Sequence, residues 1–215
     1  MKRDLKYAII LVGLFLFILS SCGSNKILLW NGKDLSGWTF SIADSTINAN
    51  QIWSVKNGVI YCSGISNGYM ETESDYANYT LYVQWRWVEK EGNSGVLVHT
   101  QESGKIWPNC IECQLQAGNA GDLVIIGKGS MTVNGKRYTN EEGFTVIPKM
   151  KESSEKPVGE WNSYKIICSE DKITCYVNDV LQNEGIDASL TKGKICLQSE
   201  GVPIEFRNIY LEPLN

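Results

Sequence analysis

The sequence predicts an all-β sandwich or barrel. Short runs of alternating apolar and polar residues recur at regular spacing, and Gly- and Asn-containing turns separate them. Outside the N-terminal segment no long stretch carries a helical period, and no long internal repeat is present. At 215 residues, with 43% hydrophobic and 20% charged residues, the chain suits one globular domain with a core of ordinary size. Its net charge of −4 lacks the basic footprint that phosphate binding needs, which argues against a nucleic-acid partner.

The N-terminus reads as a targeting segment. Lys2, Arg3 and Lys6 precede an apolar run over residues 7–19, too short for a comfortable membrane span and suited to a signal-peptide core. Leu19-Ser20-Ser21-Cys22 then resembles a bacterial lipobox, whose cysteine becomes the lipid-modified first residue of the mature protein. Residues 1–22 are thus expected to be a lipoprotein signal peptide, 23–27 a short tether without an acidic run, and 28–213 a single folded domain. Acyl chains on Cys22, worth about 0.8 kcal/mol per buried CH₂, would anchor the exported protein, expected on the periplasm-facing outer membrane. The lipid would be its only membrane contact.

The strands follow in order. Residues 27–30 form a short strand, and residues 31–34 turn towards Trp38. Residues 52–55 and 59–62 flank Asn57-Gly58, which supplies the positive φ angles of a tight hairpin turn. Residues 69–73 form another short strand. In 81–88, Leu81, Val83, Trp85 and Trp87 share one face and Tyr82, Gln84 and Arg86 the other, so the two tryptophans are expected in the core. A buried run spans 123–126, and 131–133 and 136–138 form a hairpin about Asn134-Gly135. A polar loop is expected up to Gly159, before strands at 163–169, 173–178, 193–198 and 204–211.

Six cysteines follow Cys22. Most lie inside apolar strand runs, where a free thiol behaves as a small hydrophobe, so most are expected unpaired. Cys168 and Cys175, facing each other across a hairpin turning at Asp171-Lys172, are the first choice for a bridge. Cys110-x-x-Cys113 sends its thiols to opposite faces of one strand, and no second pair completes a tetrahedral zinc site.

The chemistry concentrates in residues 93–122. One strand over 96–100 carries His99, the only histidine of the chain. The next sets Ile111, Cys113 and Leu115 on one face and Glu112, Gln114 and Gln116 on the other. Trp107 and Pro108 lie in the loop between them. Tryptophan, carboxylate and amide together suit sugar recognition, where an aromatic face stacks on C–H groups and fixed polar groups read hydroxyls. Nucleophile-elbow, phosphate-loop, dinucleotide and zinc-protease motifs do not occur.

Several segments stand out in order: Leu29-Trp30-Asn31-Gly32-Lys33-Asp34-Leu35-Ser36-Gly37-Trp38, Trp53-x-x-x-x-Gly58-Val59-Ile60, Asn93-Ser94-Gly95-Val96 and Glu112-x-Gln114. Gly118-Asn119-Ala120-Gly121-Asp122, Gly159-Glu160-Trp161-Asn162, and Gly201 with Phe206-Arg207-Asn208-Ile209 continue the set. Together, and in family order, they resemble the 3-keto-disaccharide hydrolase domain family. The resemblance covers nearly all of 28–213. It implies a concanavalin/laminin-G-like jelly-roll β-sandwich of two antiparallel sheets, and hydrolysis of the glycosidic bond of a sugar already oxidised at C3. The ketone acidifies the C2 hydrogen, so a base forms an enolate that expels the C1 substituent, and water then adds.

On that resemblance Glu112 is the first choice of base, with His99 as the alternative base or the acid for the leaving group. Gln114 and Arg86 would hold the ketone or hydroxyls, and Trp107 would stack on a ring. Asp122 would bind substrate or a divalent cation, or cap its turn. No cofactor is otherwise expected. Two other readings stay open: a two-carboxylate glycoside hydrolase using Glu112 and Asp122, and a non-catalytic carbohydrate-binding lipoprotein.

Overall fold

The computed structural model describes residues 26–214. The signal segment, the lipobox and Cys22 lie outside the described residues. In chain order the elements are β1 (Ile27–Leu28), β2 (Trp38–Ile42), the short helix α1 (Ala49–Ile52), β3 (Trp53–Lys56), β4 (Val59–Cys62), β5 (Gly68–Thr72) and β6 (Tyr79–Trp87). Then come β7 (Gly95–Thr100), β8 (Cys110–Gln114), β9 (Leu123–Ile126), β10 (Gly129–Val133), β11 (Lys136–Asn140) and β12 (Phe144–Ile147). The chain finishes with β13 (Asn162–Ser169), β14 (Lys172–Val177), β15 (Val180–Gly185), β16 (Lys194–Ser199) and β17 (Ile204–Pro213).

Two antiparallel sheets stack to make the sandwich that the alternation predicts. One runs β15-β14-β13-β6-β17-β4-β3, with β1 also paired to β17; the other, seven-stranded, runs β12-β9-β8-β7-β16-β5-β2. The β10–β11 hairpin stands apart as a two-stranded ribbon. The core lies between the sheets: Leu81, Val83, Trp85 and Trp87 from β6 meet Val96, Val98, Ile111, Cys113 and Leu115 from the facing sheet. Burying each tryptophan contributes on the order of 2–3 kcal/mol of transfer free energy. The Asn57-Gly58 turn forms as expected, with φ of 51° and 72°.

Three strands and the helix were not legible as runs. Trp38–Ile42, Phe144–Ile147 and Val180–Gly185 are short and include polar or Gly residues, and tertiary pairing to β5, β9 and β14 makes them strands. Asn48 starts the helix with a capping box to Gln51.

Cys168 and Cys175 do not face each other across the hairpin, contrary to expectation. The β13–β14 hairpin turns one residue earlier than expected, with Ser169 opposite Lys172, which sets Cys168 opposite Ile173 and Cys175 opposite Ile166. All six described cysteines are free and buried. The Cys175 thiol instead lies 3.4 Å from the Cys113 sulfur across the sandwich. Cys110 and Cys113 fall on opposite faces of β8, one in a small outer cluster and the other in the core.

Candidate active site

The outer face of the seven-stranded sheet carries a cleft of about 720 Å³. Its floor comes from the strand alternation: because Ile111 and Cys113 point into the core, Glu112 and Gln114 must point outwards. Register then fixes their neighbours. Glu112 stands between Leu97 on β7 and Val124 on β9, with Cys110 two residues before it on the same face. Gln114 stands opposite Gly95. The Glu112 side chain leans across the space that glycine leaves, so that a Cβ on Gly95 would collide with Oε1.

Glu112 is therefore a carboxyl in an apolar socket, 4% exposed, with Oε1 buried and without a hydrogen-bond partner. Burial, aided by the nearby charge of Glu200, pushes its pKa up to about 8. Glu200 continues the outward face of β16 beyond Gln198 and bridges to Asn93. It is half-buried; burial raises its pKa while the Asn93 side chain favours its charged form. Of the carboxyls that line the cleft, Glu112 is the most deeply buried, Glu200 is half-buried, and Glu141 and Glu142 stand exposed at the rim.

Three buried acceptor oxygens converge here without a donor: Glu112 Oε1, Asn93 Oδ1 and Gln198 Oε1. Each such atom costs about 1–3 kcal/mol unless a ligand donates to it. Gln114 is oriented by its own backbone, since its Oε1 accepts from the Leu115 and Gln116 amides, both at 2.9 Å. Its side-chain NH₂ is then the end free to donate. Trp107 lines the cleft and is 43% exposed. The loop that carries it is tied down on the outer face: the Tyr69 hydroxyl donates to the Lys105 carbonyl at 2.9 Å, and Ser103 donates to Glu71 at 3.2 Å.

Three expected site residues are elsewhere. His99 has a φ of +55°, where β7 slips its register against β16, and this turns its ring into the core. There it packs edge-on to Tyr79, at 5.9 Å between ring centres, and its Nδ1 lies 2.8 Å from the Leu190 carbonyl. It is 1% exposed, and burial holds its pKa down to about 4. Arg86 shares β6 with the core-facing Trp85 and Trp87 and so points away from the sandwich, on the outer face of the other sheet. It pairs with Glu205 at 2.6 Å and lies over Trp161, which Arg207 also covers. Asp122 is at the edge of the motif loop, where its Oδ1 accepts from the Lys149 amide at 2.8 Å. It does not line the cleft; besides Glu112, the carboxyl there that is not fully exposed is Glu200. Among the described residues no group of three or more His, Cys, Asp or Glu side chains is gathered that could hold a metal ion.

Residues 25–212 match the model of the 3-keto-alpha-glucoside-1,2-lyase-like domain. The chain belongs to this family. The match supports a carbohydrate-active, hydrolase-like enzyme. Solved structures share the jelly-roll fold. Two proteins of Parabacteroides distasonis, provisionally described as glycosyl hydrolases, are 23% and 21% identical, with TM-scores of 0.64 and 0.65. Each alignment covers 88% of this chain, and 99% and 94% of theirs. A β-glucanase from Bacillus licheniformis is 14% identical over 91% of this chain and 100% of its own, with a TM-score of 0.56. A carbohydrate-binding module from Bacillus subtilis is 12% identical over 82% and 95%, also at 0.56. No curated protein matches the chain in sequence.

Sequence reasoning missed Glu200, Asn93 and Gln198 as a group. The signal was there in Cys196-Leu197-Gln198-Ser199-Glu200: the alternation that faces Gln198 outwards carries on to Glu200. The Asn93-Ser94-Gly95 motif also has a chemical reason. Ser94 is buried and donates to the Gln198 carbonyl at 2.8 Å, Asn93 faces the cleft, and Gly95 leaves room for Glu112.

Proposed function

We propose that this protein cleaves the glycosidic bond of 3-keto-glycosides, with Glu112 as the base. The observation that carries this is a buried carboxyl of raised pKa, set in a cleft beside unpartnered acceptors. Unpartnered acceptors suit a ligand rich in hydroxyls, which is what a sugar is. A base with a pKa of about 8 is stronger than an ordinary carboxylate and still partly ionised at neutral pH, and general-base catalysis contributes about 10²–10⁴-fold.

The proposed sequence of bonds is as follows. Glu112 takes the C2 proton, and the C2–H electrons pass to the C3 ketone to give an enolate. The enolate collapses to restore the ketone and form a C1–C2 double bond, while the C1–O bond breaks and its electrons leave with the aglycone oxygen. That oxygen takes a proton from the Glu112–Glu200 pair. Water then adds at C1, a proton returns to C2, and the sum is hydrolysis. The Gln114 NH₂ is the donor for the enolate oxygen. The elimination half matches the 1,2-lyase chemistry in the family's description. His99 and Arg86 have no part in it.

A second reading is favoured by one observation: at neutral pH Glu112 is mostly protonated, as the acid of a two-carboxylate glycosidase must be, and Glu200 is its companion. The pH profile separates the two. A base gives a kcat/KM that rises with pH through about 8, and an acid gives one that falls there. Export and anchoring through a lipid on Cys22 complete the proposal, supported by the basic start, apolar run and Leu-Ser-Ser-Cys ending of residues 2–22.

A further inference from the structure

The outer face of the seven-stranded sheet changes character across Glu112. On one side the cleft presents hydrogen-bonding groups: Gln114 further along β8, Asn93 just before β7, and Gln198 and Glu200 at the end of β16. Towards β9 and the edge strand β12 it presents hydrocarbon. Register puts Val124 beside Glu112 and Val146 beside Val124; one step along, Ile126 stands beside Cys110 and Phe144 beside Ile126. None of these four apolar side chains can donate or accept a hydrogen bond.

This wall is also unusually open. Phe144 is 72% exposed, Val146 44% and Trp107 43%, and all three line the same cleft. Single exposed apolar residues need no explanation, but several converging beside a buried carboxyl mark a surface that a ligand covers. Trp107 enters the same cleft from the loop that leads into β8 at Cys110, the position beside Ile126. Lys105, Glu141 and Glu142 complete the rim as exposed charges.

A second sugar laid on this wall would turn hydroxyls towards hydrocarbon and lose their water partners without replacement. A flat apolar ring would lose nothing and would stack on the two aromatic side chains. We propose, on the reading that the cleft takes 3-keto-glycosides, that its substrates are aryl glycosides: the sugar lies over the amides, the glycosidic bond above Glu112, and the aromatic aglycone against Val124, Ile126, Phe144, Val146 and Trp107. The departing group is then a phenol-type hydroxyl, which needs less protonation than a sugar alkoxide and suits a cleft without a histidine.

The test is a binding measurement that needs no chemistry at C3. Calorimetry would compare 2-naphthyl glucosides of both anomers with maltose and cellobiose, none oxidised, on the wild type and on a Phe144→Ser/Val146→Ser variant. Both substituted side chains face solvent on an edge strand, and thermal unfolding checks that the variant is folded. The naphthyl glucosides should bind about tenfold or more tightly than the disaccharides, as expected for burying two or three apolar groups. That advantage should fall to near parity in the variant. Equal affinity in the wild type, an advantage that survives the double substitution, or no naphthyl glucoside binding would each overturn the proposal. Failure of the enolate mechanism would leave this result untouched, because it would be seen only in turnover of oxidised substrate.

Discussion

The Glu112 carboxyl occupies the space where any residue but glycine at position 95 would place its Cβ. Gly95 is opposite Gln114 on the neighbouring strand, and its φ is not in the left-handed region. The backbone there would accept an alanine, so the glycine serves the carboxyl and not a turn. Gly95→Ala is predicted to keep the fold, with little change in Tm, while kcat/KM falls about a hundredfold because the base is displaced. Thermal unfolding and steady-state kinetics on the same preparation check both halves.

Glu112 also makes stability depend on pH. Its carboxyl titrates at about 8 when folded and at the ordinary 4.5 when unfolded, so between these values the folded state holds a proton that the unfolded state has released. Stability is then full below about pH 4.5 and is lost as pH rises to about 8, by a few kcal/mol at most. Glu112→Gln should raise Tm above wild type at pH 8, and the two should converge near pH 4.5. An unchanged difference between the two pH values would contradict the buried state of this group.

His99 is predicted to matter for folding and not for chemistry. With its folded pKa near 4 and its ordinary value near 6.5, it costs stability as pH falls through that window, since the unfolded chain binds the proton first. His99→Gln should destabilise the domain by about 1–3 kcal/mol through the lost contact with Tyr79 and the unpaired Leu190 carbonyl. The pH dependence of kcat/KM should keep its shape. Urea unfolding and a pH–rate profile decide it.

Much of this was legible in the sequence, and the exceptions have local causes. The all-β class, the buried Trp85 and Trp87, and the outward-facing Glu112 and Gln114 all follow from a period of two, and the Asn57-Gly58 hairpin from turn residues that accept positive φ. His99 did not, because a positive φ at the strand's end reverses its side chain, and nothing in Val98-His99-Thr100 announces that. Arg86 stands on the strand that its alternation predicts, but only the stacking of the sheets shows that its face lies on the far side of the sandwich. Glu200 escaped because it follows the last residue of its strand and meets Asn93 by a single bridge, a pairing between segments about a hundred residues apart.

The thiols give an independent check of the core. All six described cysteines are buried; burial raises the thiols of Cys62, Cys110, Cys113, Cys168 and Cys196, with Cys62 pushed up to about 11. Thiol counting on the native, unreduced domain should find almost none reactive, and counting after denaturation without reductant should find all six. Missing thiols in the denatured sample would point to a bridge, for which the Cys113–Cys175 pair is the best placed.

Anchoring is tested by Cys22→Ser, which should move the protein from the membrane fraction to the soluble fraction without changing its Tm. Membrane association that persists in this variant would contradict a lipid on Cys22.

The central claim is that Glu112 removes a proton from C2 of an oxidised sugar, and turnover of a 3-keto-glycoside in deuterated water tests it most directly. The wild type should release a 3-keto sugar carrying deuterium at C2, with a slower step when C2 is deuterated beforehand, and should leave the unoxidised glycoside intact. Glu112→Gln should bind the same substrate and fail to turn it over. Cleavage of the unoxidised glycoside at a comparable rate, with no label at C2, would contradict the account.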